Sequence, residues 1–144
     1  MTIRHEPVDA ALLAESQAEL IARYGRDTEP GAKPTAADLP VFLVARDSDG
    51  QPLGCGALRV LDAETVELKR MYVRPAARGR GVGRALLAAL EREAAALGAT
   101  RVRLETGPLQ PDAIGLYTSS GYRPIPCFGA YAGAPLSRCY EREL

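Results

Sequence analysis

Six cations, Lys69, Arg70, Arg74, Arg78, Arg80 and Arg84, follow one another with no acid among them, and the last three belong to a glycine-rich stretch, Arg78-Gly79-Arg80-Gly81-Val82-Gly83-Arg84. Glycines this close bring bare backbone N–H groups together, and a helix opening directly after them adds the positive end of its dipole. The chemistry this implies is phosphate binding. The whole chain carries 18 basic and 18 acidic side chains and is formally neutral, so its basic charge is concentrated at one loop. That suits a discrete polyphosphate better than a long nucleic acid, whose footprint makes a whole domain basic. A solvated arginine-rich turn is the plain alternative, and the glycine spacing weighs against it.

The spacing also excludes two familiar phosphate loops. A P-loop needs lysine and then Ser or Thr after its last glycine, whereas Gly83 is followed by Arg84 and Ala85. A dinucleotide fingerprint needs a third small residue where this chain has Arg84 or Leu86, depending on which glycines are counted. What remains is Arg78-x-x-Gly81-x-Gly83. It resembles the acetyl-CoA pyrophosphate loop of the GNAT superfamily of N-acetyltransferases. The resemblance takes in the preceding Glu67-Leu68-Lys69-Arg70-Met71-Tyr72-Val73-Arg74-Pro75 and the later Ala113-Ile114-Gly115-Leu116-Tyr117-Thr118-Ser119-Ser120-Gly121-Tyr122, and covers roughly residues 41 to 123 well.

The resemblance implies an enzyme that transfers the acetyl group of acetyl-CoA, as co-substrate and without a metal, to a small primary amine. By that likeness the backbone of Met71, Tyr72 and Val73 binds pantetheine, and Arg78, Gly79, Arg80, Gly81, Val82, Gly83 and Arg84 hold the pyrophosphate. Gln110 stands where many relatives place a cofactor-contacting asparagine, with its amide one methylene further out. An amine near neutral pH is mostly protonated, so transfer calls for a base, and preferably an acid for the leaving thiolate. Tyr117 matches the family's general acid, with a core aromatic as its plain alternative. Glu67 matches the place where some members keep a base, with a surface or ion-paired glutamate as the alternative and Glu105 in reserve. A CoA-sensing module without turnover, acting on a protein partner, and a CoA-independent interaction domain are the other function classes. Asp27, Glu29 and Asp38, with Glu67 and Glu105, suit a cationic acceptor.

These residues need elements to position them. Val66 to Val73 has the β-branched and aromatic content of a strand, and Pro75 stops it. Leu86, Ala89, Leu90, Ala94 and Leu97 fall at helical spacing before Gly98, and Arg101 to Thr106 alternates as a strand. A strand, a helix and a strand in that order predict a parallel pair with a right-handed crossover. Upstream, Thr2 to Glu6 reads as a strand, and Asp9 as the N-cap of a helix ending near Gly25 with Leu12, Leu13, Leu20 and Ile21 inward. Val41 to Arg46 and Leu53 to Leu61 form a hairpin across Asp49-Gly50. Arg26 to Pro40 is irregular, and long loops inside compact domains tend to be functional; the resemblance implies that it lies over the acceptor site as a substrate lid, with a merely mobile loop as the plain alternative. Pro111 opens a short helix that Gly121 ends; two strands, near Tyr122 to Cys127 and Arg138 to Leu144, close the chain around a loop from Gly129 to Leu136. The resemblance implies an α/β (α+β) fold: a mostly antiparallel sheet of six to seven strands, a splayed parallel central pair and flanking helices.

At 144 residues the chain has room for one domain with one buried core. It is 47% hydrophobic and 25% charged, with a pI near 6.6, which gives no electrostatic case for a membrane or a nucleic acid. It has no apolar run near membrane-spanning length and no signal-peptide pattern, and reads as cytoplasmic. Cys55, Cys127 and Cys139 lack metal-ligand or disulfide-framework spacing and are expected as free thiols, buried or half-buried. The lone His5 is expected to be structural or solvated, with nothing nearby to pair with it. The closing strands could exchange or pair between subunits in a homodimer.

Overall fold

The computed structural model describes all residues from Met1 to Leu144. The sequence reading of the element order holds: β1 (Thr2–His5), α1 (Ala10–Tyr24), β2 (Val41–Arg46), β3 (Pro52–Val60), β4 (Thr65–Val73), α2 (Val82–Ala96), β5 (Arg101–Thr106), α3 (Pro111–Ser119), β6 (Arg123–Ile125) and β7 (Arg138–Glu143). The seven strands form one sheet in the order β1-β2-β3-β4-β5-β7-β6, and only β4 and β5 run parallel. Asp9 accepts a hydrogen bond from Leu12 N–H and starts α1, and Gly25 ends it in the left-handed region.

The parallel pair separates partway along. Its registered positions run only from Thr65 opposite Arg101 to Leu68 opposite Leu104, although β4 continues to Val73 and β5 to Thr106. Beyond Leu68 the two strands leave their facing backbone groups without each other as partners. On the other side of β4 the register slips. Cys55 faces Tyr72 and Ala57 faces Lys69, so Gly56 alone opposes both Arg70 and Met71. This is a β-bulge, and Arg70 is the one non-glycine residue with positive φ, 56°, a conformation costing about 1–3 kcal/mol. Because side chains alternate along a strand, the extra residue reverses which face follows. Met71 and Val73 pack toward the core beneath α2, while Tyr72 joins the second core with Leu12, Phe42 and Val44.

Three sequence expectations change. Cys127 and Cys139 form a disulfide rather than two free thiols. Pairing of β6 with β7 sets Ile125 opposite Cys139, which carries Cys127, two residues on, beside it. Cys55 alone is the expected buried thiol, and burial pushes it up to about 12. Ile21 is exposed at 41%, not inward; Leu12 is the one fully buried residue of α1. His5 does have a partner, Glu93 Oε1 at 2.9 Å, because β1 lies at the edge of the sheet where α2 ends.

Candidate active site

The splayed strands open into a cavity of about 650 Å³. Of the residues singled out in the sequence, Glu67, Met71, Tyr72, Val73, Arg78, Gly79, Gly81, Val82, Gly83, Arg84, Gln110 and Tyr117 line it. Arg80 does not; it lies exposed outside. At one end Gly81 caps α2 with φ of 80° and no side-chain hydrogen bond. The first N–H groups of α2, from Val82 on, therefore have no partner inside their helix. A left-handed φ of 75° at Gly79 makes the turn that brings the loop there.

The cation run is less free than its composition suggested. Glu15 and Glu19, one turn apart on α1, hold Arg74 at 2.6 Å and Arg78 at 2.6 Å. Glu29 takes both Arg70, at 3.0 Å, and Lys69, at 3.2 Å. Arg84 donates to Ser119 and Ser120 hydroxyls. Acids distant in sequence thus balance four of the six cations, leaving only Arg80 and Arg84 without a carboxylate partner. Arg78 also donates from Nε to the Val73 carbonyl at 2.9 Å, so it braces the end of β4.

At the other end a buried polar cluster stands on the same face as Tyr72. Glu67 is 2% exposed and accepts a 2.6 Å hydrogen bond from Tyr131 Oη. Lys69 Nζ donates to the same Tyr131 oxygen at 2.6 Å and lies 3.7 Å from Glu67. Burial pushes the Tyr131 phenol up, reinforced by its hydrogen bond to Glu67, so it remains a donor. Glu105, on β5, accepts from Ser137 Oγ at 2.7 Å; burial raises its carboxyl above the usual range. Asp27, Thr28 and Glu29, from the irregular stretch after Arg26, line this end of the cavity. Asp38 does not belong to it: it caps a 3-10 turn through Thr35, 2.8 Å away.

Tyr117 lies between these ends, 5% exposed, edge-on to Tyr122 at 5.8 Å. It packs in the core and lines the cavity at once, and burial alone raises its phenol. Gln110 turns its amide inward, accepting from Gly107 N–H at 3.0 Å and from Tyr24 Oη at 3.3 Å. A side chain at Gly107 would displace the Tyr24 hydroxyl from Gln110 and from Leu109 N–H.

Sequence reasoning missed Tyr131, Ser137 and the pairing role of Lys69. The first two sit in an aperiodic loop, and the only available signal was an aromatic flanked by small residues, Phe128-Gly129-Ala130-Tyr131.

Comparison with known proteins agrees with this arrangement. Residues 10–122 match the model of the acetyltransferase (GNAT) family. The chain is 40% identical over 134 residues to an IAA acetyltransferase of Azospirillum brasilense, covering 88% of this chain and 87% of that one. A solved structure from Klebsiella pneumoniae described as an acyl-CoA N-acyltransferase superposes with a TM-score of 0.85 at 35% identity, over 99% of this chain and 97% of that one. A GNAT family acetyltransferase from Elizabethkingia anophelis, solved with acetyl-CoA bound, shares the fold with a TM-score of 0.73 at 20% identity, over 99% and 97%.

Proposed function

We propose that this chain, which belongs to the acetyltransferase (GNAT) family and is an acyltransferase, moves the acetyl group of acetyl-CoA to a primary amine by direct attack in a ternary complex. The observation that carries this reading is the separation of β4 from β5 after Leu68 and Leu104, opening onto the same cavity as the bare N-terminus of α2. An amide-bearing arm satisfies the strand edges as an added strand would, and the phosphates meet the helix end. The backbone of Met71, Tyr72 and Val73 takes the pantetheine. Gly79 to Arg84 take the pyrophosphate, with Arg80 contributing from the rim. Acetyl-CoA bound to the Elizabethkingia anophelis neighbour supports the choice of acyl donor.

In this mechanism the acceptor's ammonium loses a proton to Glu67, directly or through water, and the exposed lone pair attacks the thioester carbon. As the C–S bond breaks, the sulfur takes the proton of Tyr117. Burial keeps that phenol protonated, so the proton moves as negative charge develops on sulfur rather than beforehand. The nitrogen's second proton, lost once it has bonded to carbon, restores the Tyr117 phenol, and Glu67 releases the first to water, so the products are an amide, free CoA thiol and one proton, with both side chains back in their starting state. Gln110, already engaged by Gly107 and Tyr24, shapes the wall of the donor site rather than reaching across it.

A panel of primary amines incubated with acetyl-CoA tests the reading. Amine-dependent release of free thiol matched by acetylated amine supports it; thiol release without an acetylated amine, or tight CoA binding with no release for any amine, overturns it.

A further inference from the structure

Six carboxylates line the cavity: Glu19, Asp27, Glu29, Glu67, Glu105 and Asp112. Glu19 is paired with Arg78 and Arg23, Asp27 with Lys33, and Glu29 with Lys33, Lys69 and Arg70. Glu67 has Lys69 and the Tyr131 hydroxyl. Asp112 is exposed in the first turn of α3, where water and the helix dipole serve it. Glu105 alone is half-buried with no cation in ion-pair contact, the Lys69 charge reaching it only from further off. Its one protein hydrogen bond comes from Ser137 Oγ to Oε2, which leaves Oε1 without a protein partner.

A sheltered carboxylate without a counter-charge is costly, and burial accordingly raises the Glu105 carboxyl. The next residue repeats the sign. Thr106 is 5% exposed, lines the same cavity, and its Oγ1 is the only fully buried side-chain polar atom without a hydrogen-bond partner. Successive strand residues face opposite ways, so Thr106 stands on the core face of β5 with Leu104 and Glu105 on the other, both at the splayed end that borders the cavity.

We propose that Glu105 Oε1 seats a positively charged group of the acceptor other than the amine that reacts, so that the acceptor class is amines with a second cation, aliphatic diamines being the simplest. This rests on the acetyl-transfer reading above. The reacting nitrogen is neutral when it attacks and sheds the positive charge it gains on bonding to carbon, so it cannot stay paired with a carboxylate from substrate to product; a second ammonium stays charged throughout. Glu67, with Tyr131 and Lys69 on Oε2, stands on the neighbouring strand and the same face for the nitrogen that reacts.

The test compares propane-1,3-diamine with propylamine, in the wild-type protein and in Glu105→Gln, which keeps the Ser137 partner and removes the charge. With acetyl-CoA as donor, the wild type is expected to favour the diamine by about tenfold or more in kcat/KM, the range for a hydrogen bond to a charged group. In Glu105→Gln that preference falls to near unity through KM, while the KM for acetyl-CoA reports an intact donor site. If neither amine is acetylated, the amine panel above decides the acetyl-transfer reading, and calorimetric titration of both amines into the CoA-loaded protein still decides this inference by whether the diamine binds tighter. Equal use or equal binding of the two amines by the wild type, or a diamine preference that survives in Glu105→Gln, overturns it. Should the variant not fold, the wild-type comparison alone decides between support and refutation.

Discussion

Tyr131 Oη donates a 2.6 Å hydrogen bond to Glu67 Oε2 across 64 residues of sequence, tying the loop before β7 to the floor of the cavity. The same phenol oxygen accepts from Lys69 Nζ, so one hydroxyl joins a buried cation to a buried anion. Tyr131→Phe keeps the ring and removes that joint. It is expected to destabilise the protein by about 1–3 kcal/mol, the cost of leaving buried charged groups underserved, read as a lower urea midpoint with unchanged slope.

Glu29 sets an acid limit on the segment from Asp27 to Glu29. Burial works to raise its carboxyl, but the Lys33 hydrogen bond and the Arg70 and Lys69 charges outweigh it and hold it below the usual carboxylate range. A depressed folded value means that the stabilisation is present above the unfolded value, about 4.3, and is lost as pH falls through the folded one. Stability should drop on acidification below about pH 4.3, and Glu29→Gln should flatten that part of the stability profile. An unaltered acid limb in the variant would remove Glu29 as the cause.

The glycine loop should be intolerant of side chains. Gly81 sits at φ of 80°, which valine cannot adopt without strain, and valine at Gly83, its Cβ in ordinary contact with Leu116 Cδ2 and Val73 Cγ2 at 3.4 and 3.6 Å, would add bulk to the cavity wall that Gly83 forms. Gly81→Val and Gly83→Val are expected to abolish CoA binding in a folded protein, as judged by calorimetry beside circular dichroism. Arg80→Ala should weaken binding less, and in a salt-dependent way, because it removes an unpaired charge without filling the loop. Arg78→Ala should combine a smaller charge effect with loss of the brace to Val73 and Glu19.

For the chemical step, Tyr117→Phe should lower kcat by about 10²- to 10⁴-fold with little change in CoA affinity. Retention within about threefold of wild type would return Tyr117 to the core alone. Glu67→Gln should lose most near neutral pH and regain rate as rising pH deprotonates the acceptor unaided. A defect constant across pH would assign Glu67 to structure instead.

What the sequence made legible is what depends on near neighbours. The alternation from Arg101 to Thr106 predicted β5 to the residue, Asp9 and Gly25 bracketed α1, and glycine spacing located the loop before α2. The parallel pair followed from strand, helix, strand. The bulge at Arg70 was invisible because it is a property of register against β3, not of β4 alone. The counter-ions of Arg74 and Arg78 come from α1, 59 residues away in sequence, so the run from Lys69 to Arg84 looked more electropositive than it is. Tyr131 and the Cys127–Cys139 bond sit in or beside a loop with no period to read. Long-range pairing decides all three.

Direct transfer within a ternary complex is the central claim, and initial rates measured while acetyl-CoA and the acceptor amine are varied together test it most directly. Intersecting double-reciprocal lines, with no acetylated protein when acetyl-CoA is supplied alone, are the predicted result. Parallel lines together with a stable acetyl-enzyme would contradict it, since the acetyl group would then pass through a nucleophile of the chain before reaching the amine.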